Sequence, residues 1–231
     1  MNRGTSSVAS SFRPLSAPPP TPRGQRTRTR LIRAAETVFG EVGYYDTRIS
    51  EITRAAGVAM GTFYLYFPSK EELFRGLLTS LNHDLRRTLS EGTRKLPTRA
   101  AAEAEGLRLF FRFLLRHRKL YRIVKEAASV DPALYREYVE RIAEGYRAGL
   151  ARAMETGEVK RGDPELFAYA LMGVAETVAM RFVIWEDGMT EGKFDQLTEL
   201  ILHGLLADGH GSASRPRRDP PSGRRKRAGR R

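Results

Sequence analysis

Apolar residues along this chain recur at three- and four-residue spacing, and no segment alternates apolar and polar residues for long. That pattern predicts an all-α protein of about nine helices. The first spans about Gln25 to Glu41, where Leu31, Ala34, Ala35, Val38 and Phe39 form one stripe. Gly43 follows it, where a left-handed cap is easy. A short helix is predicted from about Arg48 to Ala56, with Asp46 or Thr47 as N-cap, and Gly57 breaks it. A third covers about Met60 to Phe67 and stops at Pro68. Ser69-Lys70-Glu71-Glu72 reads as a capping box opening a long fourth helix that reaches about Arg94. Asp131-Pro132 and Asp163-Pro164 each set an N-capping carboxylate before a proline at the first helical position. They announce helices over about 132–156 and 164–186. Two more are predicted over about 99–116 and 118–129, and the last over about 193–207.

Composition changes the picture at the two ends. Residues 1–24 are rich in Ser, Pro and Arg, residues 209–231 are rich in Arg, and both read as disordered arms. The formal net charge is +13. Residues 1–30 carry six arginines and no acid, and residues 209–231 carry nine Lys/Arg against one Asp, so the body between them is close to neutral. Basic arms favour polyanions, nucleic acid first, although a solubilising tail has the same composition. Cysteine is absent, which excludes disulfides, thiol catalysis and cysteine-ligated metal. The four histidines lie far apart and lack metal-ligand spacing, so no metal or cofactor is expected. There is no Gly-x-Ser-x-Gly, P-loop, His-Glu-x-x-His or plausible triad, and an enzyme is not expected. The N-terminal stretch lacks the apolar region of a secretory signal. The run "LFAYALMGVAETVAMRFVIW" is interrupted by Glu176 and Arg181, leaving no uncharged stretch long enough to span a bilayer. It reads as a buried helix of a soluble, cytoplasmic protein with no membrane partner.

The segment Asp46 to Phe74 carries the candidate chemistry. Two short helices joined at a glycine make a helix-turn-helix, with Ile49, Ile52, Ala56, Val58, Phe63 and Phe67 facing inward. An ordinary helical hairpin has the same apolar pattern. The outward set argues for more: Thr47, Ser50, Thr62, Tyr64, Tyr66 and Lys70 supply hydroxyls and an amine, several near helix N-termini, where phosphate is attracted. Gly61 has no side chain, so another backbone can approach closely. Such a set suits gripping a DNA backbone while the second helix enters the major groove. No Arg, Lys, Asn or Gln lies between Ala59 and Phe67, so the usual bidentate base readers are missing. Ala59, Met60 and Thr62 can touch thymine methyls, and Arg48 is the best polar contact. Operator choice is therefore expected to rest on apolar contact and DNA shape. Arg23, Arg26, Arg28 and Arg30 sit near the expected DNA.

The stretch "GYYDTRISEITRAAGVAMGTFYLYFPSKEELFRGLL" resembles the N-terminal DNA-binding domain of TetR-family transcriptional regulators. The matching positions are Gly43-Tyr44, Thr47, Ala56-Gly57-Val58, Gly61-Thr62-Phe63-Tyr64, Tyr66-Phe67 and Lys70-Glu71-Glu72-Leu73, within a match from about Thr27 to Leu78. The family often has His where this chain has Tyr66, whose hydroxyl can still donate to a phosphate. The resemblance implies a DNA-binding domain over 25–70 and a ligand-binding and dimerisation domain over 71–208. It implies a homodimer paired through about 164–186 and 193–207, bound to a near-palindromic operator in double-stranded DNA with half-sites about 34–36 Å apart. Repression is the implied mechanism: a small molecule tilts helix four and changes the spacing of the two heads. The DNA-binding domain leaves activation open. The candidate effector contacts are Phe110, Phe113, Tyr121, Tyr138, Tyr169 and Glu176, whose carboxylate is costly in an apolar helix unless paired. Glu176 serves either a ligand or an interface hydrogen bond. Arg112 and Arg116 lie near the pocket or on a solvated face. A lipophilic or acyl-type effector suits this composition, as does a drug-like aromatic compound. An architectural protein that binds DNA through its basic arms is the alternative. Either protein works in the cytoplasm, on the nucleoid when DNA-bound.

Overall fold

The computed structural model of the protein describes residues 21–186 and 188–205. The expected arms 1–20 and 209–231, and the end of the predicted last helix at 206–207, lie outside the described residues. Within them are nine α-helices: α1 Pro22–Val42, α2 Ile49–Ala56, α3 Met60–Tyr66, α4 Lys70–Thr93, α5 Arg99–Arg116, α6 Arg118–Val130, α7 Pro132–Glu155, α8 Pro164–Ala179 and α9 Glu191–Leu205. A single π-helical turn, Met180–Ile184, continues α8. No strand occurs among the described residues, and the fold is all-α.

The helix ends follow local chemistry. Asp131 accepts the Leu134 N–H at 3.0 Å, and Asp163 accepts the Glu165 and Leu166 N–H groups at 2.8 and 3.4 Å, each with a proline at the first helical position. The Ser69 hydroxyl accepts the Glu72 N–H at 3.3 Å. Two starts differ from expectation. α1 begins at Pro22, because the Thr21 hydroxyl accepts the Gly24 N–H at 3.1 Å, so residues 22–24 belong to the helix rather than to a disordered arm. α2 is capped by neither Asp46 nor Thr47. Arg48 is its N-cap: its N–H donates to Glu51 Oε2 at 2.8 Å, while its carbonyl accepts the Glu51 N–H at 3.0 Å.

The main core joins the N-terminal helices to the middle of the chain. Leu31, Phe39, Ile52, Phe63, Phe67 and Phe74 from α1–α4 share one cluster with Ile123 and Ala127 of α6 and Tyr138 of α7. Fully burying each large side chain stabilises by about 1.5–3 kcal/mol. The three N-terminal helices, two of them short, therefore pack against α4 and α6. A second cluster packs Phe111 and Leu114 against Ala179, Val183, Phe194 and Leu197. A third joins Leu150, Ala153, Val159 and Ala168.

α8 is not the buried helix the sequence predicted. With its π turn it is long and apolar enough to cross a membrane by length and composition, yet only 17% of that span is buried. It packs on α7 along one side, and Leu166, Tyr169 and Val174 on its remaining surface are exposed.

α1 and α6 approach closely at two glycines. A Cβ on Gly40 would stand 2.3 Å from Lys119 Cβ. Arg122 of α6 donates to the Glu41 and Val42 carbonyls at 3.0 and 3.1 Å, satisfying two of the acceptors that a helix end leaves open. Gly43 has φ +90°, and a Cβ there would meet Glu126 Oε1 at 2.7 Å and Arg122 Nη2 at 2.8 Å. Gly43→Ala is therefore expected to destabilise the protein by about 1–3 kcal/mol. Urea unfolding measures this, and an unchanged midpoint and slope would contradict it.

Candidate functional site

The helix-turn-helix is held by its own backbone. Gly57 adopts the left-handed region (φ 62°, ψ 43°). Its N–H reaches the Arg54 carbonyl at 3.1 Å and the Val58 N–H reaches the Thr53 carbonyl at 3.0 Å, the paired bonds of a Schellman cap. The 26-residue separation hides a further clamp from the sequence. Arg30 on α1 donates to the Ala56 carbonyl through Nε (3.1 Å) and Nη2, and to the Gly57 carbonyl at 2.8 Å. Arg28 lies over the Phe67 ring at 5.2 Å, and burial lowers its pKa. Arg28 is half-buried, while Arg30 is exposed but spends donors on these carbonyls; Arg23 and Arg26 are exposed.

The residues expected at DNA separate into two groups. Arg48, Ser50, Ala59, Met60, Gly61 and Tyr64 are exposed, with Thr62 and Tyr66 half-buried. A Cβ on Gly61 would meet nothing within 4 Å, so no internal contact requires glycine there. Thr47 and Lys70 do not face outward. Thr47 is 3% exposed, and its hydroxyl donates to the Gly43 carbonyl at 2.6 Å. The Lys70 ammonium donates to the carbonyls of Tyr44 (2.8 Å), Thr47 (3.0 Å) and Tyr45 (3.4 Å) and sits 4.5 Å from the Tyr44 ring centre. All three ammonium donors are engaged. These two residues shape the turn that starts α2. Tyr45 and Leu65, the latter 81% exposed, stand out as large exposed side chains beside this face, and sequence reasoning had not named them. Leu65 is found by its helical offset from inward-facing Phe63, whereas Tyr45 has no such signal.

The same turn is tied to the body. The Tyr44 N–H donates to Glu126 Oε2 at 2.6 Å, and its hydroxyl donates to Glu71 Oε1 at 2.8 Å. Burial, then the Glu71 carboxylate, raises the Tyr44 pKa, keeping it a phenol. The Ser69 hydroxyl, its own backbone N–H and Tyr44 hold the Glu71 carboxyl below the usual range.

Inside the body, a cavity of about 520 Å³ is lined by α4 through α9, within the size range of small-molecule sites. Phe110, Tyr121, Tyr138 and Glu176 line it, as expected. Phe113 does not: it is buried in the main core with its ring 4.5 Å from that of His117. Tyr169 does not either, because it lies two turns before Glu176 on α8, beyond the cavity, and is 39% exposed. Glu176 pairs with Lys125 of α6. Burial opposes the Lys125 charge, and the Glu176 carboxylate outweighs it, raising the Lys125 pKa. Arg112 is exposed and pairs with Glu105 at 2.7 Å, and neither it nor Arg116 lines the cavity. Sequence reasoning missed Glu103, which is 8% exposed, accepts from the Tyr146 hydroxyl and pairs with Arg99. Burial, then Glu103, raises the Tyr146 pKa well above its ordinary value. The only hint was the four-residue spacing of Arg99 and Glu103.

Residues 31–77 match the sequence model of bacterial regulatory proteins of the tetR family. The chain is 27% identical over 199 residues to the HTH-type transcriptional regulator YdgC of Bacillus subtilis (strain 168), covering 81% of this chain and 97% of that protein. It is 25% identical over 187 residues to the fatty acid metabolism regulator protein of the same organism, covering 76% and 94%. The fold resembles the solved structure of the transcriptional regulator FadR from Bacillus subtilis in complex with stearoyl-CoA, with TM-score 0.67 and 24% identity over 76% of this chain and 98% of that one.

The contacts at Lys70 predict the outcome of removing its charge. Lys70→Met is expected to lose about 1–3 kcal/mol of stability, since carbonyls at the turn lose their donor. It is also expected to speed amide exchange over residues 44–48. A lysine serving DNA alone leaves both unchanged, and amide exchange followed by mass spectrometry separates the two.

Proposed function

We propose that this chain, a transcriptional regulator of the TetR family, is a repressor that binds a near-palindromic operator as a homodimer and is released by a small apolar effector. The observation that carries the reading is the double attachment of α6. One side of that helix lines the cavity through Tyr121 and Val124 and holds Glu176 through Lys125. The other side holds the end of α1 through Lys119 and Arg122 and the Tyr44 N–H through Glu126. An effector that displaces Tyr121 or Glu176 moves α6, and α6 moves the turn on which α2 and α3 sit. Two heads must fit half-sites about 34–36 Å apart, so a small shift in each spoils both.

In this reading residues 25–70, extended back to the start of α1, are the DNA-binding domain, and 71–208 bind the effector and the second copy. Arg48, Ser50, Ala59, Met60, Gly61, Thr62, Tyr64 and Tyr66 supply the DNA contacts, joined by Tyr45 and Leu65. Thr47 and Lys70 act through the turn. The apolar, uncharged surface of α3 supports readout through thymine methyls and DNA shape. Exposed Leu166, Tyr169 and Val174 on α8 and Leu200 on α9 supply the dimer interface, where an uncovered apolar face of this kind belongs. The names of the fatty acid metabolism regulator and of FadR with stearoyl-CoA support an acyl-type effector over a drug-like aromatic one. The protein works on the nucleoid when bound to DNA.

Purified protein incubated with sheared genomic DNA at near-physiological salt is expected to recover a few fragments sharing a near-palindrome. Broad recovery without a shared motif overturns specific regulation in favour of architectural binding. Gly61→Ala is expected to fold as well as the parent and to weaken operator binding on the order of tenfold, because the added methyl meets only the DNA. Unchanged operator affinity in a gel-shift titration removes Gly61 from the interface. Leu166→Glu with Leu200→Glu is expected to shift the protein from dimer to monomer in sedimentation, and a dimer that survives both changes places the interface elsewhere.

A further inference from the structure

The charges lining the cavity are unevenly matched. Its two carboxylates are both engaged, Glu103 by Arg99 and the Tyr146 hydroxyl, Glu176 by Lys125. Four arginines line it: Arg86, Arg94, Arg99 and Arg152. Arg99 is half-buried, pairs with Glu103 and lies 5.3 Å from the Tyr146 ring centre. The other three are exposed, and among the described residues none has an acidic partner.

Helix register sets two of these three, Arg94 and Arg152, at nearly the same level, with Arg86 about two turns earlier on α4. Arg75 pairs with Asp131, and Asn82 donates to the Tyr138 carbonyl at 2.8 Å, both across 56 positions. α4 and α7 therefore run side by side in the same direction. Extending that register sets Arg94 beside Leu150, with Arg152 about half a turn further on. Arg86 stands about 12 Å before Arg94 on the same helix. Most of the remaining lining is apolar, including Leu107, Phe110, Val124, Leu171, Met172 and Ile201.

We propose that the effector is an amphiphile whose apolar chain lies among those residues and whose head, bearing at least two phosphate charges, is held by Arg86, Arg94 and Arg152. This deepens the effector reading above and rests on it. Guanidinium groups match phosphate oxygens bidentately, and exposed ones bind without first breaking an internal ion pair. A neutral ligand leaves three like charges uncompensated around the opening. A single carboxylate answers one of them. A phosphorylated head answers two or three while the chain fills the apolar space. Acyl-CoA and a phosphorylated lipid share this chemistry.

The test uses the full-length protein without DNA, so it is independent of operator binding. Isothermal titration compares palmitoyl-CoA, palmitoyl lysophosphatidate, palmitate and CoA alone. A phosphorylated amphiphile is expected to bind on the order of tenfold more tightly than palmitate, with the advantage shrinking as salt rises. In the Arg86→Ala/Arg94→Ala/Arg152→Ala variant that advantage is expected to vanish, with palmitate affinity falling much less than that of the phosphorylated ligands. These side chains make no internal ion pair, and circular dichroism checks that the variant is folded. A preference for palmitoyl-CoA over lysophosphatidate assigns the head to the nucleotide, and equal binding assigns it to phosphate on any lipid. Equal binding of palmitate and both phosphorylated ligands overturns the proposal, as does a preference that survives in the variant, or no binding by either phosphorylated ligand. If the phosphorylated ligands bind as expected but none releases operator DNA, the repressor reading fails while the head-group site stands.

Discussion

Three backbone carbonyls, of Tyr44, Tyr45 and Thr47, converge on one ammonium, that of Lys70, and the placement of α2 and α3 depends on that convergence. Carbonyls drawn together this way need a shared donor, because a buried acceptor without a partner costs about 1–3 kcal/mol. Tyr44 makes the turn a junction. Its ring packs between Phe39 and Phe74, with centroids 5.6 and 4.9 Å away, its hydroxyl reaches α4 and its N–H reaches α6. Arg48 caps α2 four residues later. The orientation of α2 and α3 is thus set by groups on α1, α4 and α6, none of which belongs to the helix-turn-helix itself.

Charge is distributed by the same logic. α3 carries no charged side chain, and two of the arginines that precede it on α1 bond within the protein, Arg30 to the carbonyls at the end of α2 and Arg28 over the Phe67 ring. In the body, carboxylates are matched locally: Glu41 to Lys119, Glu103 to Arg99, Glu126 to Arg122 and Glu176 to Lys125. Two of those pairs sit on the side of α6 that faces α1 and the turn after it, and one sits on the side that faces the cavity. α6 is bonded at both faces, while α8 has one side uncovered.

What the sequence by itself determined is local. Helix order, the Asp-Pro starts at 131 and 163, the glycine break at 57 and the inward stripe of Leu31, Phe39, Ile52, Phe63 and Phe67 follow from periodicity, capping and backbone freedom, which act over three or four residues. The helix-turn-helix was legible for the same reason. The tertiary structure alone decided the roles of single polar and aromatic side chains. Thr47 turned inward to the Gly43 carbonyl of its own turn, and Lys70 went to that turn because its partners lie more than twenty residues away. Phe113 went to the core and Tyr169 to the surface because helix rotation and length, rather than aromatic character, decide which side chains reach a cavity. Glu176 met Lys125 across 51 positions, and Arg86 and Arg94 of the α4 end came to line the same cavity as Arg152 of α7. Pairing across such distances depends on how helices pack, which no short window of sequence contains.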